Sequence, residues 1–304
     1  MAKFKPRRVV IFWLFRCASF FIFILPISLG LRFGQLLGKA AFCLLKGPRK
    51  TALDNLDIAF SSSKSAKEKE HIVREVFENL GKNLVEVVSL VKFNKRNIDR
   101  YIACRGFETI ERLLEQGKGG IVLSAHFGNW ELMAHYFGIK GYKVNVIARR
   151  MRMDHFENIL ARVRRRHGVN VIHRDASTKE VLVIIKRNEF IAMMPDQDMD
   201  SVSGVFVDFF GRKAYTPNGP AVLNFLTKLP IVTCFMVRKA FGHEILVGRQ
   251  MELASTGDRA KDILENTQRY TRIIEDHVRR FPTQWVWFHD RWKTQPESRN
   301  QRGT

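Results

Sequence analysis

Acidic residues are scarce in this 304-residue chain: 30 Asp and Glu stand against 51 Lys and Arg, a formal charge of +21. A deficit of that size predicts anionic partners, whether nucleic acid, phosphate-rich lipid or acidic protein. Cysteine is sparse too. Cys17, Cys43, Cys104 and Cys234 are scattered, with no CxxC pair, which argues against a structural zinc site or a disulfide framework and suits a reducing compartment. No repeat period and no low-complexity tract is present, so a repeat array is excluded. Tyr and Trp number only 5 each, whereas Phe reaches 24. At 45% hydrophobic and 27% charged, the chain is neither disordered nor a small secreted scaffold, a coiled coil or a polytopic membrane protein. Its length suits one large domain or two small ones.

One long apolar run is present. After Lys3, Lys5, Arg7 and Arg8, the segment from Val9 to Leu31 is interrupted only by Arg16, Ser19, Pro26, Ser28 and Gly30. As a helix, 23 residues would reach roughly 35 Å, enough to cross a bilayer. A cleaved signal peptide is disfavoured, because a second apolar run, Leu36 to Leu45, follows at once. Two readings stay open: a spanning anchor with its basic end inside, and a helix half sunk in the cytoplasmic leaflet. Either gives membrane attachment, and the chain divides into an N-terminal anchor over 1–45 and a body over 46–304.

The body alternates. Apolar spacing predicts a helix over Glu68 to Val91 and another over Phe107 to Gln116, closed by Gly117 and Gly119. A buried-strand pattern, Gly120 to Ala125, then enters a helix through His126-Phe-Gly-Asn-Trp-Glu131. Downstream, strands at Val144 to Ala148, Val169 to Ile172 and Phe190 to Met194 alternate with helices at Asp154 to His167 and Lys179 to Lys186. A helix at Pro220 to Thr227, extended runs at Ile231 to Val237 and Glu244 to Gly248, and a helix at Asp258 to Arg279 complete the pattern. Such alternation predicts an α/β domain with a mixed, largely parallel sheet flanked by helices.

Four groups of residues could carry chemistry. His126 and Glu131 sit at a strand-to-helix junction, where ligand groups gather in such sheets. A histidine there suits a general base, and a carboxylate five residues on could orient it through its second ring nitrogen. The plain alternative is a solvated histidine beside a helix-start glutamate. Arg149, Arg150 and Arg174 follow strands and suit phosphate, whereas the run Arg162 to Arg166 reads as a solvated helix face. Asp196-Gln197-Asp198, beyond another strand, could bind hydroxyls or form an acidic turn. Trp285-Val-Trp-Phe-His-Asp-Arg-Trp292 places His289 and Arg291 among aromatics that could stack on bases, end a core strand or anchor in a membrane interface.

In this order, the four groups resemble the late acyltransferases of lipid A biosynthesis, within the wider glycerolipid acyltransferases marked by H-x4-D/E. His126 to Glu131 matches that motif, and Arg149 matches the family's arginine after the next strand. Pro195-Asp-Gln-Asp198 matches its Pro-Asp-[His/Gln]-Asp block. Val205 to Gly211 with Thr216 match the segment that follows, and Trp287 to Lys293 its C-terminal signature. Arg150, where many members carry proline, and Asp290, where arginine is frequent, depart from the pattern.

The resemblance implies a membrane-bound enzyme at the cytoplasmic face of a bacterial inner membrane. His126, oriented by Glu131, would deprotonate a hydroxyl of a phosphorylated glycolipid, which attacks an acyl carrier protein thioester, or an acyl-CoA. Arg149, Arg174, Asp196, Gln197, Asp198, His289 and Arg291 would bind substrate, with no metal, no cofactor and no nucleic acid. The alternatives weighed are a relative acting on a lysophospholipid or a phosphatidylinositol mannoside, a basic nucleic-acid-binding protein, and a metal hydrolase built on His126 and His135.

Overall fold

A computed structural model describes residues 19–148, 154–173 and 178–296. Met1 to Ala18, the first part of the expected anchor, lie outside the described residues, as do Arg149, Arg150 and Arg174. A seven-stranded sheet forms the centre. Its strands are β1 (Ile102–Arg105), β2 (Gly120–Leu123), β3 (Val144–Ala148), β4 (Val169–His173), β5 (Phe190–Met193), β8 (Ile231–Arg238) and β9 (His243–Gln250), in the order β1-β9-β8-β2-β5-β3-β4. All neighbours run parallel except the β8–β9 hairpin. The mixed, largely parallel α/β sheet expected from the alternation is therefore present.

Helices connect the parallel strands: α4 (Glu108–Glu115), α5 (Trp130–Lys140), α6 (Asp154–Arg166), α7 (Thr178–Lys186) and α8 (Gly219–Thr227), with α9 (Arg259–Arg280) after β9. Before the sheet, after a helical stretch at 19–24, come α1 (Ile27–Leu44), α2 (Lys46–Phe60) and α3 (Ala66–Val88). A capping box fixes the start of α3, where the Ser65 side chain takes the Glu68 N–H and the Glu68 carboxylate takes the Ser65 N–H.

Two elements escape the periodicity. Strand β1 is only four residues long. A separate hairpin, β6 (Gly204–Phe209) and β7 (Arg212–Pro217), turns through Phe210 and Gly211, both at positive φ. That two-residue geometry matches the twist of the strands it joins, but a phenylalanine is not a residue from which sequence would predict it.

The apolar run does not continue as one helix. It breaks at Leu25–Pro26, because proline has no N–H to give and pushes the preceding residue out of the α region. Beyond the break, α1 packs on α3 through glycines. A Cβ on Gly34 would meet the Gly81 carbonyl oxygen at 2.5 Å, and one on Gly38 would meet Glu78 Cα at 2.5 Å. Gly30, Gly34, Gly38 and Phe42 form the buried stripe, while Leu29, Phe33, Leu36, Leu37 and Leu44 stay exposed. Among the described residues, no helix is long and apolar enough to cross a membrane.

The C-terminal aromatics settle into the core. Trp285, Trp287 and Trp292 are buried together with Phe209, Phe210 and Phe127, and Trp285 meets Trp287 edge to face at 4.6 Å between centroids. Neither a base-stacking platform nor a set of interfacial anchors is formed by these three rings. Asn55 on α2 clamps this segment by donating to the carbonyls of Trp287 and His289, both at 2.7 Å.

The α1–α3 contact is tested by Gly81→Leu. Its side chain would enter the space held by the Gly34 carbonyl, and the expected cost is about 3 kcal/mol, read as a lower thermal unfolding midpoint. Gly47→Ala, with open space around it, is expected to leave the midpoint unchanged or slightly higher. Equal midpoints for the two variants would contradict the close crossing.

Candidate active site

Strands β2 and β5 are adjacent and in register, with Gly120 opposite Phe190 and Leu123 opposite Met193. The chain leaves both strands at their carboxyl ends, and Ser124 N–H still donates to the Met193 carbonyl at 2.9 Å. The same offset of 70 residues carries on into the loops and brings His126 beside Asp196. Strand β2 has its crossover partner β3 on the far side of β5, so this is the switch point at which α/β sheets open a crevice.

Asp196 is buried and gathers three donors. One carboxylate oxygen takes the His126 backbone N–H at 2.9 Å and the Trp285 indole N–H at 2.8 Å, and the other faces His126 Nδ1 at 2.9 Å. With Asp196 ionised, Nδ1 is the protonated nitrogen and Nε2 carries the lone pair. Burial opposes charge on His126, but the Asp196 charge and hydrogen bond more than offset it, so the imidazole is more basic than usual. Asp196 itself lies below its ordinary range: burial acts to raise it, and His126 and the other donors outweigh that.

Glu131 stands elsewhere, which corrects the expected pairing with His126. Residue 131 already lies in the first turn of α5, and its side chain points to α6. Arg164 holds it through Nε at 2.7 Å and Nη2 at 2.6 Å, and His135 Nε2 lies 3.3 Å away. Burial acts to raise the Glu131 pKa, but these hydrogen bonds outweigh it and hold it at about 2. His135 continues the chain to His167, with Nδ1 to Nδ1 at 2.8 Å. His167 is pushed down to about 4 by burial first, with His135 and Arg166 beside it acting in the same direction. The run Arg162 to Arg166 is thus not a uniform solvated face. Arg162, Arg165 and Arg166 are exposed, and Arg164 turns inward.

The loop between His126 and α5 is pinned from below. Asn129 caps α5 by accepting the Leu132 N–H, and donates to Glu86 at 2.7 Å. Asn83 donates to the Gly128 carbonyl at 2.6 Å. Glu86, fully buried on α3, also receives Arg238 through both terminal nitrogens, His243 Nε2 at 2.8 Å and the Tyr101 hydroxyl at 2.6 Å. Burial would raise this carboxyl, but His243 and Arg238 hold it well below its usual range. On the other side, Phe127 bridges Trp285, and Val286 N–H donates to the His126 carbonyl at 3.0 Å.

The other expected binding residues brace the site from within. Asp198 is buried and accepts the Thr294 N–H and hydroxyl, and its own carbonyl takes His289 Nε2 at 2.7 Å. Arg291 is buried, donates to the Tyr215 carbonyl and to Thr216 Oγ1, and is lowered to about 10 by burial. These contacts within the protein tie the two motifs together. Gln197 is half-buried. Sequence reasoning missed Arg164, Asn129, Asn83, Glu86 and Trp285 as site residues. Only the N-cap identity of Asn129, just before a helix, carried a local signal.

An apolar cavity lies between the sheet and α5, lined by Trp130 next to the histidine. Glu131, Arg164 and Trp130 stand at it, and the Trp130 ring meets the His126 ring edge to face at 5.2 Å. Among the described residues, no group of three or more His, Cys, Asp or Glu side chains could hold a metal ion.

Known proteins similar to this chain are acyltransferases. The chain is 28% identical over 266 residues to the lipid A biosynthesis palmitoleoyltransferase of Escherichia coli (strain K12), covering 86% of this chain and 84% of that protein. It is 27% identical over 277 residues to the lipid A biosynthesis lauroyltransferase of the same organism, covering 90% and 88%. A phosphatidylinositol mannoside acyltransferase of Mycobacterium tuberculosis (strain ATCC 25618 / H37Rv) is 22% identical over 223 residues, covering 71% and 68%. The model of the bacterial lipid A biosynthesis acyltransferase family matches residues 2–294, so the chain belongs to that family and is an acyltransferase.

Proposed function

We propose that the protein transfers a fatty acyl chain from an acyl carrier protein thioester to a hydroxyl of a phosphorylated lipid A precursor, at the cytoplasmic face of a bacterial inner membrane. The observation that carries this reading is His126, held through Nδ1 by a buried carboxylate with Nε2 left to act as a base, beside an apolar cavity. Nε2 takes the proton of the acceptor hydroxyl as its oxygen attacks the thioester carbonyl. Collapse of the tetrahedral intermediate breaks the carbon–sulfur bond, and the imidazolium returns the proton to the leaving thiolate. Asp196 keeps the tautomer and stabilises the imidazolium between the two steps. No covalent acyl-enzyme is required.

Glu131 acts through Arg164, whose guanidinium it holds at the cavity wall. Arg149 and Arg174, which follow β3 and β4, bind acceptor phosphate or stabilise the oxyanion. A chain of +21 attracts both an acidic carrier protein and a phosphorylated lipid. Names of the two E. coli relatives favour a lipid A acceptor over a mannoside. Membrane attachment comes from the N-terminal region, where α1 presents Leu29, Phe33, Leu36 and Leu37 outward. Arg32 and Lys39 on the same helix suit a helix lying in the interface.

Transfer from an acyl carrier protein thioester to a radiolabelled tetraacylated lipid A precursor, assayed in membranes, tests the base. His126→Ala is expected to lose about 10³-fold or more in kcat; retained turnover would remove the mechanism. Glu131→Ala is expected to lose orders of magnitude as well, with the fold intact.

Asp196→Asn is tested by its pH profile. The base works only when neutral, so the rate falls as pH drops through the His126 pKa, which Asp196 raises. Without that charge the acidic limb of kcat/KM moves to lower pH, while kcat at neutral pH falls about 10²-fold or more. An unshifted limb would contradict the pairing. For the membrane, an environment-sensitive dye on Leu36→Cys, in a Cys43→Ser background, is expected to shift to the blue when anionic vesicles are added. Unchanged emission would exclude α1 from the interface.

A further inference from the structure

The turn between β8 and β9 is short and closed. Lys239 N–H donates to the Gly242 carbonyl at 3.1 Å, which leaves only Ala240 and Phe241 at the tip. Gly242 has a φ of 65°, and an added Cβ would strike the Tyr101 carbonyl oxygen, so this left-handed, closely packed position needs glycine. His243 N–H donates to the same carbonyl at 2.9 Å. On this pinned tip stands Phe241, 74% exposed. Tight turns favour Gly, Asn, Asp and Ser, so the geometry of the turn does not call for a phenylalanine.

A single exposed apolar side chain carries no message, but this one has company. Phe241 meets the Tyr101 ring edge to face at 5.9 Å, and Phe93 stacks on Tyr101 at 5.2 Å. Next to Phe93, Lys92 donates to the Leu25 carbonyl at 2.7 Å, and its ammonium lies over the Phe23 ring at 5.2 Å. The helical stretch at 19–24 therefore ends at the same corner as the turn. Phe20, Phe21 and Ile24 on that stretch and Val91 beside Lys92 are exposed, as are the cations Arg100 and Lys239.

Strand direction places this corner relative to the active site. Strand β8 runs parallel to β2, with Leu123 opposite Thr233, so the turn lies at the edge where β2 gives way to His126. Beyond that pairing β8 continues to Arg238. Gly128, two residues after the base, packs against the Met236 carbonyl. The tip thus stands past the His126 loop by roughly 10 Å along the strand.

We propose that the β8–β9 turn is a second membrane contact: Phe241 enters the boundary between headgroups and acyl chains beside the 19–24 stretch, and the carboxyl edge of the sheet thereby faces the bilayer. This rests on the membrane attachment proposed above and adds to it a point outside the N-terminal region. A bilayer, rather than a second copy of the chain, is the occupant because the corner continues the apolar N-terminal segment and carries the exposed cations Arg100 and Lys239, which suit anionic headgroups. One anchor tethers a domain but leaves it free to turn. A second contact fixes which edge looks at the lipid and holds His126 near headgroup height, where the hydroxyl of a lipid acceptor stands.

The test places an environment-sensitive dye on Phe241→Cys in the full chain carrying Cys17→Ser, Cys43→Ser and Cys104→Ser, with the same chain lacking the 241 thiol as labelling control. Adding phosphatidylethanolamine–phosphatidylglycerol vesicles is expected to shift the emission to the blue, and lipids brominated on their acyl chains are expected to quench it. Without dye, Phe241→Asp is expected to weaken vesicle binding about tenfold with wild-type thermal unfolding, and Phe241→Leu to stay within about threefold of wild type. An unshifted dye at 241, or equal binding by Phe241→Asp and wild type, overturns the inference. So does a blue shift that grows with protein concentration in lipid-free detergent solution, which would assign the tip to a second copy. The Leu36→Cys probe, run alongside, separates the two readings. A shift at 36 without one at 241 overturns this inference alone, whereas no shift at either position overturns the membrane attachment and this inference with it.

Discussion

One buried carboxylate holds this site together. Asp196 must lose its hydration to sit beneath the sheet's carboxyl edge, and such burial is tolerated only when the charge is fully hydrogen-bonded. Its three donors come from a loop after β2 and from the C-terminal segment around Trp285. A single side chain thereby fixes the backbone at His126, the tilt of its ring and the seat of the last aromatic segment. In the proposed mechanism, the proton that Nε2 accepts is compensated by a charge already in place, so little reorganisation is needed.

The residues around that carboxylate share a division of labour. A second buried acid, Glu86, is neutralised by Arg238 and His243 and reaches the active-site loop only through Asn129. It contributes no chemistry, yet it ties α3, the β8–β9 hairpin and the cap of α5 into one rigid block. Asp198, Arg291 and His289 do the same on the C-terminal side. Rigid support of this kind is what keeps a base and its orienting group in productive geometry. The exposed arginines and lysines are left to act at long range.

Alternation of strands and helices was readable because a buried parallel strand is a short apolar run and an amphipathic helix a 3.6-residue period. Those signals are local, and they located β2 to β5, β8, β9 and α3 to α9 and singled out the junction that carries His126. The partner of His126 was not local. A carboxylate five residues away looked sufficient, but α5 begins at Trp130 and carries Glu131 off toward α6, whereas Asp196 arrives by strand pairing across 70 residues. Resemblance named Glu131 as the partner of the ring and gave Asp196 to the substrate, the reverse of what the fold brings together. Arg164 was misread for a related reason. Within a run of arginines, composition predicts solvent, and only the position of α6 against α5 turns one of them inward.

The same period-2 rule that builds the sheet also separates its two functions. On β2, Ile121 and Leu123 are fully buried in the core that contains Phe209 and Trp285, while Val122, between them, faces the cavity. On β5, Ile191 is fully buried and its neighbours Phe190 and Ala192 line the cavity. A slip of one residue in either strand would therefore exchange core for cavity and move Asp196 off the His126 ring at once. Close approach of Phe190 to Gly120 adds a steric key to that register, since any other residue at position 120 would place a Cβ against the ring. Stability of the strand pairing and correct placement of the catalytic groups are thus one constraint, imposed by the geometry of two adjacent parallel strands.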